Sequence, residues 1–320
     1  MQRTALICGI SGQDGAYLAK LLLDRGYRVA GTSRDAQMSG FVNLDQLGIR
    51  NQVELASMAI NDFRSVLQVA ARFRPDEIYN LAGQSSVGLS FDQPVETLES
   101  IAVGTLNILE GIRFLNPDIR LYNACSSECF GDTGGVAANE ATPFHPRSPY
   151  AVAKATAFWE VANYRESYGL FACSGILFNH ESPLRPERFV TQKIVRAACR
   201  IARGSTDRLR LGNMDVQRDW GWAPEYVEAM WRMMQLDQAE DFVIATGETR
   251  SLGEFVACVF AAAGLDWQAH VDQDASLMRP TDLSISRADT SRAQSGLDWR
   301  ATTRMAGVAR RMVEAELARK

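Results

Sequence analysis

A doubly wound parallel α/β sheet followed by a smaller second domain is the fold class that this 320-residue chain predicts. Three observations carry the prediction. Short β-rich runs alternate with longer, helically spaced runs through the first half of the chain, and a glycine-rich turn directly follows the first of them. After Asn179 the alternation gives way to irregular segments rich in Pro and Arg, such as ESPLRPERF.

Taken in order, residues 4–8, 28–32, 53–58, 77–81, 119–124 and 172–178 read as strands. Between them, 17–25, 63–73, 95–115 and 150–168 carry apolar residues at helical spacing. Each crossover helix returns the chain to a parallel neighbour, so the first domain is expected to span 1–178. The second, mainly 179–320, holds a helix at 190–203 and an amphipathic closing helix at 305–319. A further buried strand at 242–246 is expected to return to the first domain.

The 46% hydrophobic content is enough to fill a sizeable core. The net charge is −4, which provides no long-range basic field to gather nucleic acid or acidic membrane, so a phosphate-bearing partner must meet local cations. The N-terminal MQRTALICGI runs straight into a strand, and no apolar run reaches bilayer length; the expectation is a cytoplasmic protein without membrane association. Six cysteines (Cys8, Cys125, Cys129, Cys173, Cys199, Cys258) lack Cys-x-x-Cys spacing and mostly interrupt apolar runs. They read as buried thiols, and no metal site is expected.

The turn after the first strand is Gly9-Ile-Ser-Gly12-Gln13-Asp14-Gly15, leading into a helix that begins near Ala16. Glycines let the backbone turn tightly and approach a pyrophosphate, which rests on the helix N-terminus where amides and the helix dipole favour anions. At the end of the second strand, where a carboxylate would accept bonds from an adenosine ribose, stands Arg34. An arginine there suits a 2′-phosphate and favours NADP over NAD, although Asp35 would oppose a phosphate if it pointed inward. The fourth strand ends in Leu81-Ala82-Gly-Gln84-Ser85, small enough for a nicotinamide ribose to lie over the sheet edge.

The fifth strand ends in Ser126-Ser127-Glu128, and Pro149 opens a helix on which Tyr150 and Lys154 are one turn apart. A tyrosine is a poor base, with an ordinary pKa of about 10. A cation one turn away favours its phenolate, and the spacing predicts phenol and ammonium side by side. Ser126, Tyr150 and Lys154 would then take a proton from a substrate hydroxyl while a hydride leaves the same carbon for NADP⁺. Glu128 is a second base that a simple oxidoreductase does not need.

With these residues in place, the chain resembles the extended short-chain dehydrogenase/reductases and, within them, the GDP-mannose 4,6-dehydratases. The resemblance covers nearly the whole chain and is carried by GISGQDGAYLAKLL, YNLAGQSSVGLSF, TPFHPRSPYAVAK, NYRESYGLFACSGILFNHESPLR, RFVTQKI, RLGNMDVQRDWGWAPEYVEAMW and DFVIATGET. It implies a Rossmann-type domain with a sugar-nucleotide-binding domain, a tightly held NADP recycled within each turnover, and a homodimer or homotetramer. The implied reaction converts GDP-mannose to GDP-4-dehydro-6-deoxy-mannose. The family's Thr-Glu-Tyr-Lys set falls on Ser126, Glu128, Tyr150 and Lys154. Its cofactor pattern falls on the stretch from Gly9 to Gly15, on Arg34, on the loop from Leu81 to Ser85, and on His180 and Arg185. Asn179, Lys193, Arg218 and Arg279 would meet the sugar nucleotide, together with Ser85.

Three departures stand out: Asp35 replaces the second arginine of a pair that also helps to link subunits, Ala59 beside Ile60 and Asp62 replaces an acidic residue near the adenine, and Cys129 stands where an aromatic is common. They point to a distinct subgroup and leave open a related substrate such as a GDP-manno-heptose. A GDP-sugar 4-reductase or epimerase would use Ser126, Tyr150 and Lys154 but leave Glu128 idle. A cofactor-sensing protein without catalysis would be expected to break the Tyr-x-x-x-Lys pair, which is intact.

Overall fold

The structure, a computed structural model, describes residues 2–277 and 283–319. The chain divides into two compact units: Met1–Cys129, Phe144–Leu177 and Val227–Phe242 form the first, and Phe130–Pro143, Phe178–Tyr226 and Val243–Lys320 the second.

Among the described residues twelve strands run in order: β1 (Thr4–Cys8), β2 (Arg28–Ser33), β3 (Glu54–Ser57), β4 (Glu77–Asn80), β5 (Arg120–Ser126), β6 (Ala172–Leu177), β7 (Asn179–Glu181), β8 (Leu209–Leu211), β9 (Gln217–Trp222), β10 (Phe242–Ile244), β11 (Thr249–Ser251) and β12 (Val271–Gln273). A seven-stranded sheet has the order β10-β6-β5-β4-β1-β2-β3, and β1 pairs in parallel with both β2 and β4. The order reverses between β1 and β4, the point at which open α/β sheets bind ligands outside the strands' carboxyl ends. Strands buried on both faces are mainly apolar, with their buried polar groups hydrogen-bonded, and every residue of β1, β4 and β6 is buried. Leu6, Ile78, Ile108, Leu109, Leu121 and Val161 pack in one cluster of this core.

Several boundaries differ from the sequence expectation for local reasons. The first helix is Gln13–Asp24, starting three residues before Ala16, because Gly12 takes the extended N-cap conformation. The run 95–115 is three pieces: Pro94–Leu98, a π-helical stretch Glu99–Val103, and Gly104–Leu115. Strand β5 runs on to Ser126, which puts that hydroxyl on the strand's last residue. The helix Pro149–Tyr168 is set at both ends: the Ser148 hydroxyl accepts from the Ala151 amide at 3.1 Å, Pro149 fits the first turn, and Gly169 closes it at φ +68°.

In the second unit β9 pairs in parallel with β7 and antiparallel with β11. The helices Val190–Ala202, Leu252–Ala262 and Met305–Ala318 share a core that includes Ile194, Val195, Phe255, Phe260, Val308 and Met312. Each such side chain contributes about 1.5–3 kcal/mol on burial. The helix Leu252–Ala262, not expected from the sequence, is fixed by a reciprocal cap between Ser251 and Glu254. The six cysteines are free thiols, with Cys258 half-buried and the rest buried.

Candidate active site

At the switch point, the Gly9 and Ile10 amides both donate to the Thr32 carbonyl at 3.1 Å, folding the chain sharply after β1. Gly9 has φ +85°, and a Cβ there would lie 2.9 Å from the Leu81 carbonyl oxygen of the turn after β4. A Cβ on Gly15 would lie 2.5 Å from the Gly9 oxygen and 2.6 Å from the Ile10 Cα. Side chains are thus excluded at Gly9 and Gly15, and no side chain caps the helix that follows at Gly12. This bare helix N-terminus fits the pyrophosphate of a dinucleotide. Gln13 is buried, with its Nε2 donating to Asp14 Oδ1 at 3.0 Å.

Arg34 lies just beyond β2, its side chain 79% exposed and its Nη2 2.5 Å from Glu96 Oε1. Asp35 does not face a ligand: its Oδ1 accepts from the Gln37 and Met38 amides at 2.9 and 3.1 Å, closing its own turn. In the loop after β4, the Ala82 amide donates to Asn80 Oδ1 at 3.4 Å, and Gly83 takes φ +115°. The Gln84 side chain folds back on its own loop, with Nε2 donating to the Ser86 carbonyl at 2.8 Å and Thr97 Oγ1 at 3.2 Å while its oxygen accepts from the Ser86 amide. Leu81 and Ala82 are half-buried, and Ser85 is exposed.

Ser126, Tyr150 and Lys154 are all buried, and Glu128 is half-buried on the short turn Ser127–Phe130. The Glu128 amide donates to Ser126 Oγ at 3.3 Å. Burial pushes the Tyr150 phenol well above its ordinary range; its hydrogen bond with Ser126 pulls it back down, while Cys129, Glu128 and Cys125 add to the rise. Lys154 reaches back to the strand that ends in Ser126. Its ammonium donates to the Ala124 carbonyl at 2.6 Å, with Nζ 5.9 Å from the centroid of the Tyr150 ring. Burial lowers the Lys154 pKa, opposed by Cys125, Cys129 and Asp14. The Asp14 charge therefore links the glycine turn to the helix of Tyr150 and Lys154.

In the second unit, His180 is buried, with Nδ1 2.7 Å from the Phe178 carbonyl and its ring stacked on Tyr226 at 4.5 Å. Arg185 Nε is 3.2 Å from Glu181 Oε2, and its guanidinium sits 3.7 Å over the Phe189 ring. Asn179 pairs in register with Trp220. Lys193 donates to the Arg210 carbonyl at 2.8 Å. Arg218 is buried, with Nη1 donating to the Leu283 carbonyl at 2.7 Å rather than standing as a solvated charge. Arg279 lies outside the described residues.

Three supporting features were not read from the sequence. Asn80 and Asn123 face each other across β4 and β5, Asn80 Nδ2 reaching Asn123 Oδ1 at 3.2 Å and Thr105 Oγ1 at 3.0 Å, which fixes the two strand ends. Cys129 Sγ donates to the Ala151 carbonyl at 3.6 Å and lies 3.7 Å from Cys125 Sγ, tying the Glu128 turn to the helix of Tyr150. Glu96 is the third. Strand register would have disclosed the first; nothing in the sequence signals the others.

The family model of the GDP-mannose 4,6 dehydratases matches residues 6–312. The chain is similar to GDP-mannose 4,6 dehydratase 1 of Arabidopsis thaliana, at 43% identity over 99% of this chain and 90% of the relative. The corresponding protein of Sinorhizobium fredii is 42% identical over 99% and 97%, and the human one 39% over 99% and 92%. Among solved structures, the fold is shared with the NAD complex of Thermus thermophilus UDP-glucose 4-epimerase (TM-score 0.87, 24% identity, 99% of this chain and 100% of that one). It is also shared with RMD from Pseudomonas aeruginosa complexed with NADPH (TM-score 0.82, 21% identity, 100% of both chains). By the match across residues 6–312 and the near full-length relatives, the chain belongs to the GDP-mannose 4,6-dehydratase family.

Proposed function

We propose that the chain is an NADP-dependent hydro-lyase that converts GDP-mannose to GDP-4-dehydro-6-deoxy-D-mannose with loss of water. The observation that carries the reading is the clustering of buried Ser126 and Tyr150 with Glu128 on the adjoining turn, its amide donating to Ser126 Oγ at 3.3 Å and its charge acting on the phenol. That is one more carboxylate than alcohol oxidation requires.

Gly9, Gly12, Gln13, Asp14 and Gly15 would hold the dinucleotide pyrophosphate, with Leu81, Ala82, Gln84 and Ser85 lining the nicotinamide side and Arg34 meeting a 2′-phosphate. A nicotinamide held there would supply a hydride acceptor for C4 and, once reduced, a hydride donor for C6. Tyr150 accepts the proton of the C4 hydroxyl, assisted by Ser126. The ketone at C4 acidifies C5, so Glu128 can remove the C5 proton and deliver it to the departing C6 hydroxyl as water forms. As hydride is returned to C6, the proton held on Tyr150 is delivered to C5, which leaves C4 a ketone, and net redox is zero. Asn179, Lys193, Arg218 and Arg279 are assigned to the GDP-sugar, as is Ser85; His180 and Arg185 are assigned to the cofactor. The five buried thiols support a reducing compartment such as the cytoplasm, and no helix among the described residues is long and apolar enough to cross a membrane. Exposed Val95, Leu98, Val103 and Leu106, with Val152 and Trp159 on the helix Pro149–Tyr168, support a homodimer or homotetramer joined through apolar helix faces.

The test is incubation with GDP-mannose, without added reductant, followed by mass analysis. The expected product is one water lighter and carries a 4-keto group, and Tyr150→Phe should slow its formation at least about a hundredfold. A parallel incubation with GDP-manno-heptose separates the two substrates. A product that keeps its C6 oxygen would overturn the dehydratase reading.

A further inference from the structure

We infer that Glu96 sets the cofactor preference of this chain by competing with the 2′-phosphate for Arg34. The inference rests on the reading of Arg34 as the phosphate ligand. The turn that carries Arg34 is tightly made: Asp35 Oδ1 accepts from the Gln37 and Met38 amides, the Ser39 amide donates to the Asp35 carbonyl at 3.0 Å, and the Ala36 amide donates to Ser57 Oγ at 2.9 Å. Asp35, the acidic neighbour that threatened a phosphate, is thereby occupied with its own backbone. The carboxylate that meets the guanidinium is instead Glu96, sixty-two residues away in the first turn of the helix Pro94–Leu98.

A guanidinium has donors on two edges, so a phosphate could approach Arg34 while Glu96 keeps one of them. The carboxylate would then lie close to a dianion held by the same cation. If Glu96 lets go instead, the pair must be broken before the phosphate binds. Either path weakens NADPH, and neither weakens NADH, whose 2′-hydroxyl carries no charge and can donate to a carboxylate. The pair thus narrows the gap between the two cofactors that Arg34 alone would open.

The test uses the full chain stripped of nucleotide, titrated with NADPH and with NADH, with binding read by tryptophan fluorescence rather than turnover. Glu96→Gln keeps shape and a hydrogen bond to Arg34, and should tighten NADPH by about three- to tenfold while leaving NADH within about twofold. The gain should shrink at high salt, because the pair is exposed. Arg34→Ala should weaken NADPH and abolish the effect of Glu96→Gln. An unchanged NADPH to NADH ratio in Glu96→Gln, with Arg34→Ala still weakening NADPH, overturns this inference alone. Undiminished NADPH binding in Arg34→Ala overturns the NADP reading and this inference with it.

Discussion

The Lys154 ammonium donates to the main-chain carbonyl of Ala124 at 2.6 Å, bolting the helix Pro149–Tyr168 to the end of β5. The side chain is buried, and burial lowers its pKa. Its first effect on Tyr150 is therefore positional: it holds the phenol against the strand end that carries Ser126. The group that directly pulls the phenol pKa down is the Ser126 hydroxyl. The work is thus divided: the Lys154 ammonium positions the base and the Ser126 hydroxyl tunes it.

That division predicts the behaviour of Ser126→Ala. Losing the hydrogen bond removes the influence that lowers the Tyr150 pKa, so the phenol stays protonated to higher pH. The ascending limb of the kcat/KM profile should move to higher pH, with turnover down by about 10²-fold. Ser126→Thr keeps the hydroxyl and should restore both. A limb that stays in place in the alanine variant would remove Ser126 from control of the base.

For Glu128 the sign is opposite. Its charge raises the Tyr150 pKa, so Glu128→Gln should shift the ascending limb of C4 oxidation, read as nicotinamide reduction in a single turnover, to lower pH. Dehydration should nonetheless fail: solvent deuterium at C5 and release of 6-deoxy product should both fall by about 10²–10⁴-fold. C5 exchange at the parental rate would make Glu128 a bystander and favour a reductase or epimerase.

Much of this was legible in the sequence because parallel strands buried on both faces must read as continuous apolar runs, and the glycines at 9 and 15 report a turn with no room for Cβ. What was hidden depends on partners distant in sequence. The run 95–115 reads as one helix, yet it contains the π-helical stretch Glu99–Val103, and Gly104 follows where a Cβ would stand 3.0 Å from Ile60 Cγ1. Gln84 and Lys154 were placed correctly on their loop and helix, but rotamer and register turned the first back on its own loop and the second toward a carbonyl. The Arg34–Glu96 pair spans sixty-two residues and leaves no local signature.

Gly15→Ala tests the glycine cradle. The added methyl would fall 2.5 Å from the Gly9 oxygen and 2.6 Å from the Ile10 Cα, both main-chain atoms that cannot rotate aside. The turn has to open, at a cost of about 1–3 kcal/mol in stability. Dinucleotide affinity should fall more than tenfold by fluorescence titration, as the helix N-terminus moves from the pyrophosphate. Gly26→Ala, with nothing within 4 Å of its Cβ but φ +79°, should cost some stability and leave dinucleotide affinity unchanged. Equal losses of affinity in both would show that the cradle is not specifically a binding turn.

Glu160, on the helix that carries Tyr150, has an Oε2 atom buried without a hydrogen-bond partner, and burial raises its pKa from 4.5 to about 7. Because the folded value exceeds the unfolded one, the folded state binds the proton more tightly. The associated stability is fully present below about pH 4.5 and is lost as the pH rises through about 7. A glutamine stays neutral throughout and carries no such loss. Glu160→Gln should therefore match the parent at pH 5 and exceed it by about 1 kcal/mol at pH 8, the full shift being discounted for partial solvent access. Denaturant midpoints at the two pH values provide the measurement. A gain of equal size at both would mean that packing, not the charge, decides the effect, and no gain at pH 8 would mean that the carboxylate is solvated after all.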